Sequence, residues 1–147
     1  MTHAAPRSRG TIERAGTTDV FSARTHQAAK VVVPVLLGVV YGYWVAANRR
    51  YGGPITVENF LYGFFAGLVF SLLFMTLLAL APKVRRELHA VLWAALSGSA
   101  LGFLVMQAPS PGVLRSTILG LLVAAGVFLT MFYRFYTRED ATGHRVR

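Results

Sequence analysis

The chain has 147 residues, 54% of them hydrophobic and 14% charged, with a formal net charge of +9 and no cysteine. Soluble domains carry about a quarter charged residues, so this composition excludes an ordinary water-soluble globule. The missing cysteine excludes disulfides, thiolate metal sites and cysteine nucleophiles. The excess of cations does not point to nucleic acid, because no basic helix with interleaved aromatics occurs.

The apolar residues are concentrated in four blocks with no acidic or basic side chain in their central parts. Each is close to the length needed to cross about 30 Å of hydrocarbon at about 1.5 Å per residue. Thirteen of the fifteen basic residues are Arg, and Ala, Gly and Val abound. That bias suits a GC-rich, bacterial coding sequence.

Residues 1–29 are polar and basic and are predicted to be a disordered cytoplasmic tail, since they have too little apolar surface to offset ordering entropy. The stretch 18–29 has a weak tendency to form a surface helix around Val20 and Phe21. The transmembrane domain is placed at 30–136. Its first span covers about residues 31–47, with Pro34 in the first turn, where a missing N–H costs little. Arg49 and Arg50 stop it, and Tyr51-Gly52-Gly53-Pro54 reads as a turn.

Thr56 is the expected N-cap of the second span, with Glu58 near the positive end of the helix dipole. That span covers about residues 60–81 and ends at Pro82. Lys83, Arg85 and Arg86 form a basic connection. The third span, about 88–107, is the least apolar and carries Ser97 and Ser99. Residues 108–112 form a second turn rich in Pro and Gly. The fourth span covers about 116–133 and runs into the aromatic cluster Phe132, Tyr133, Phe135 and Tyr136, suited to headgroup depth. Residues 137–147 form a C-terminal tail.

Twelve of the fifteen cations fall in the N-terminal tail, the middle connection and the C-terminal tail; only Arg49, Arg50 and Arg115 fall in the other two connections. Cations collect on the cytoplasmic side. The expected fold is therefore an all-α membrane protein: a four-transmembrane-helix antiparallel bundle in the cell membrane, with both termini cytoplasmic.

Small residues recur four apart: Gly38 and Gly42, Gly63 and Gly67, Gly98 and Gly102, Gly120 and Ala124. Such pairs share one helix face and let a neighbouring backbone approach closely, which matters where lipid supplies no hydrophobic drive between helices. They are the expected helix-packing residues, within the chain or against another subunit in a homo- or hetero-oligomer. A faint internal echo aligns Gly38 and Gly42 with Gly98 and Gly102, and Gly63 and Gly67 with Gly120 and Ala124.

Catalytic chemistry is hard to build here. An ionisable group inside a span marks a functional site by default, and none lies centrally in these spans. The four histidines are scattered and fit no zinc spacing, and no cofactor motif occurs. The polar groups within spans are Tyr41, Ser71, Ser97 and Ser99, a candidate path for a solute. Arg85, Arg86, His89 and Arg134 are candidate contacts for anionic lipid or a partner at the cytoplasmic face. The function expected from this pattern is a non-enzymatic accessory, assembly or scaffolding subunit acting through helix–helix contacts. The alternative is an oligomeric channel or small-solute transporter.

Overall fold

The computed structural model describes residues 23–110 and 112–138. It is all-helical, with four long helices: α1 (Ala23–Arg50), α2 (Val57–Leu80), α3 (Arg86–Met106) and α4 (Val113–Arg138). Each contains a stretch long and apolar enough to cross a membrane. A single 3-10 turn, Ala81–Lys83, links α2 to α3.

The helix ends have local causes. At the end of α1 the backbone turns over with φ of 47° at Tyr51 and 77° at Gly52. That left-handed pair closes the helix, and Gly53 N–H donates back to Arg50 O at 2.8 Å. Thr56 caps α2, its hydroxyl oxygen accepting from the Asn59 amide at 3.2 Å. Pro82 in the 3-10 turn stops α2 from continuing into α3.

Two boundaries differ from the sequence reading. The first helix is already formed at Ala23, so residues 23–29 belong to α1 and not to a disordered tail; residues 1–22 lie outside the described ones. The run Ala23–Lys30 holds no Gly or Pro and simply extends the helical ladder that the apolar segment sustains. Pro34 therefore sits inside the helix and not in its first turn. At the other end α4 continues to Arg138, past the expected limit of its span. The remainder of the C-terminal tail, residues 139–147, is likewise outside the described residues.

α1 packs along α2, and α3 along α4. The two pairs meet mainly through α3, which touches both α1 and α2, whereas α4 packs almost entirely on α3. The buried set is small: Val45, Leu77, Ala90, Ala94 and Leu104, with Pro34, Ser71, His89, Ser116 and the seam glycines other than Gly102. The outward faces are lined by exposed Val, Leu, Ile and Phe along every helix. Such a surface is unsuited to water and suited to hydrocarbon, where packing of small residues holds helices together.

Candidate functional site

The helix seams fix where everything else lies. In the first pair Gly38 faces Gly67 and Gly42 faces Gly63. A methyl group placed on Gly63 would lie 2.5 Å from Gly42 O and 2.7 Å from Ala46 Cβ. One placed on Gly38 would lie 2.6 Å from Gly67 O. In the second pair a methyl on Gly98 would come within 2.6 Å of Gly120 O and 2.7 Å of Ala124 Cβ. Gly102 is less tight, its added methyl falling 3.4 Å from Ser116 O and 3.9 Å from Gly120 Cα. Both pairs thus use a small-residue seam, but in different registers: Gly38 and Gly42 meet the carbonyls of Gly67 and Gly63, whereas their echo positions Gly98 and Gly102 meet those of Gly120 and Ser116, one turn away from the aligned residues. All eight small residues are spent inside the chain, which leaves other faces for any contact with a second subunit.

Ser71 reinforces the first seam. Its buried hydroxyl lies 3.1 Å from Pro34 O and 2.9 Å from Gly67 O, so one proton is shared between the neighbouring helix and its own. Ser116 lies against Gly102 in the second seam; it is 3% exposed, and its hydroxyl has no hydrogen-bond partner among the described residues.

Polar side chains of α1 join the two pairs. Tyr41 donates its phenol proton to Ala100 O at 2.9 Å, and Asn48 donates to Leu104 O at 3.3 Å. Tyr41 and Asn48 are two helical turns apart on α1, and their acceptors are one turn apart on α3, so one face of α1 reads the carbonyls of α3. Val45, between them, is completely buried. The Tyr41 ring also stacks on Phe70 of α2 with centroids 4.6 Å apart, so this residue of α1 touches both α2 and α3.

Aromatic pairs brace α2 against α3 at both ends of their contact. Tyr62 stacks with Phe103 at 6.3 Å, and Phe74 meets the edge of Trp93 at 5.0 Å. Arg49 covers the first brace, its guanidinium carbon 4.2 Å from the Tyr62 centroid and one nitrogen 3.1 Å from Glu58. Between the braces lies a cavity of about 370 Å³ lined by Tyr41, Phe70, Leu96, Ser99, Ala100 and neighbouring apolar side chains.

The candidate polar residues are therefore divided. Tyr41 and Ser99 line this inter-pair cavity. Ser71 lies in the α1–α2 seam, and Ser97 lines neither that cavity nor the groove along α1 and α2. Ser99 bonds back to Leu96 O at 3.2 Å. The candidate cytoplasmic contacts divide too. Arg85 is the exposed N-cap of α3, Arg86 is its first residue and Arg134 is exposed near the end of α4. His89, by contrast, is 9% exposed and turned inward, accepting a hydrogen bond from the Trp93 indole at 3.0 Å. Among the described residues no group of three His, Cys, Asp or Glu is placed to hold a metal ion.

Sequence reasoning missed Asn48 and Trp93. Asn48 was assigned beyond the end of its span, although it lies seven residues from Tyr41 and so shares its face. Trp93 is not singled out by the sequence; its spacing of four from His89 is the pattern that points to the bond. No family model, curated protein or solved structure matches the chain, so its assignment rests on this geometry.

Proposed function

We propose that the chain is a multi-pass protein of the cell membrane that acts as a non-enzymatic accessory or scaffolding subunit through contacts in the membrane plane. Sequence neighbours run antiparallel in this reading, supported by the order of the glycine pairs: as α1 advances from Gly38 to Gly42, its partner recedes from Gly67 to Gly63. Both termini are cytoplasmic, supported by the distribution of cations. The basic cytoplasmic segments meet anionic lipid or acidic partner surfaces.

The observation that carries this reading is the open assembly of the two helix pairs. Each pair is closed by its own small-residue seam. They join through α3, and the far side of α4 presents Ile118, Leu121, Leu122 and Leu129 outward. Crosslinking and copurification from native membranes tests it, with a specific partner or a defined homo-oligomer as the expected result. A monomeric native mass without copurifying protein in mild detergent overturns it.

One observation favours a second reading, passage of a small solute: Tyr41 and Ser99 share the inter-pair cavity. Flux in proteoliposomes that is lost in Ser99→Leu and kept in Ser97→Leu is the result this reading requires.

A further inference from the structure

The α1–α2 pair carries a feature that neither its seam nor α3 uses. A groove of about 520 Å³ runs from Val35 and Met75 at one end to Arg50 and Asn59 at the other. Every residue lining it belongs to α1, α2 or their connection. Its floor is the backbone at the glycine crossing, where side chains that would fill the crevice are missing. Its walls are Val39 and Tyr43 of α1 and Phe60, Phe64 and Leu68 of α2, all exposed. From Val35 to Arg50 the helix rises about 22 Å. The hydrocarbon of one leaflet is about 15 Å deep, half of a core of about 30 Å. The slot is thus long enough for an acyl chain together with the start of its headgroup.

Charge identifies the occupant. Arg49 is engaged by Glu58 and Tyr62. Arg50, half-buried at the mouth of the slot, has no acidic partner among the described residues. The Asn59 carboxamide beside the same mouth has no hydrogen bond among them either. A planar guanidinium and an amide donor above an apolar slot match a phosphate above an acyl chain. We propose that this groove binds an anionic phospholipid, its acyl chain between α1 and α2 and its phosphate on Arg50 and Asn59. The site lies at the start of α2, the opposite end of that helix from Arg85. It rests on the membrane-embedded reading above and is independent of any partner subunit.

The test uses the full chain in vesicles of equal parts phosphatidylglycerol and phosphatidylcholine, released into mild detergent for native mass spectrometry. Wild type is expected to retain phosphatidylglycerol over phosphatidylcholine in a ratio of about five to one, the scale set by one cation near a membrane surface. Arg50→Gln abolishes the enrichment, Arg49→Gln keeps it, and Leu68→Trp, which fills the slot from its wall, lowers retention of both lipids. A chain that floats with the vesicles but holds the two lipids in the bulk ratio overturns the lipid site alone. So does a dimer mass without lipid, which would seat a second copy in the groove. Failure to float with vesicles overturns the site and the membrane reading together.

Discussion

Gly98 and Gly126 are both helical glycines in the second pair, yet they should respond to alanine with opposite signs. A methyl at Gly98 meets Gly120 O at 2.6 Å, whereas one at Gly126 meets nothing within 4 Å. Gly98→Ala forces the backbones apart and should destabilise by about 1–3 kcal/mol. Gly126→Ala gains helix propensity and should stabilise by up to about 1 kcal/mol. Thermal unfolding in detergent separates them, and equal midpoints would contradict the seam. Tyr51 offers a third site: its φ of 47° is costly for a side chain, and the residue is 76% exposed. Tyr51→Gly should raise stability by about 1 kcal/mol by relieving the left-handed strain.

Between elements, the weak link is the junction of the two helix pairs. Within each pair, backbones touch over two turns; between pairs, contact depends on aromatic braces and two side-chain hydrogen bonds to α3. Interhelical hydrogen bonds in lipid contribute about 0.6 kcal/mol each. Removing both in Tyr41→Phe with Asn48→Leu should therefore weaken association of the pairs by about 1 kcal/mol, or about fivefold, while leaving each pair intact. Splitting the chain after Val84 and coexpressing residues 1–84 with 85–147 gives the measurement. The wild-type halves should copurify, the doubly substituted half should be recovered at about one fifth of that yield, and both halves should keep their helical circular dichroism. The 3-10 turn around Pro82 is the natural place for the cut, because no continuous helical ladder crosses it.

For the whole molecule, topology is the decisive property, and the absence of native cysteine makes it directly measurable. Single-cysteine variants Gly53→Cys and Ser110→Cys should react with an impermeant maleimide from outside intact cells. Ser22→Cys and Thr142→Cys should react only after permeabilisation. Reaction of the last two from opposite sides would overturn the proposed even-span topology and the proposed cytoplasmic placement of both termini.

The four helices, the turns between them and the Thr56 cap were legible in the sequence, because each depends on local information: apolar length, Gly and Pro punctuation, and a hydroxyl at a helix start; the outer ends of α1 and α4 were not, because polar residues extend those helices past their apolar spans. The small-residue spacing was legible as well, but its partners were not. Spacing states which face of a helix is smooth; only packing states which helix lies against it. Asn48 and Arg50 show the same limit: they looked alike as polar residues ending a span. Tertiary structure directs Asn48 to a carbonyl of α3 and leaves Arg50 at the mouth of a groove, because the rotation of α1 about its axis is set by the glycine seam with α2. Apolar length thus determined that the chain forms four helices able to span a membrane, while the choice of neighbours, the inward turn of His89 and the two cavities were decided by contacts between residues far apart in sequence.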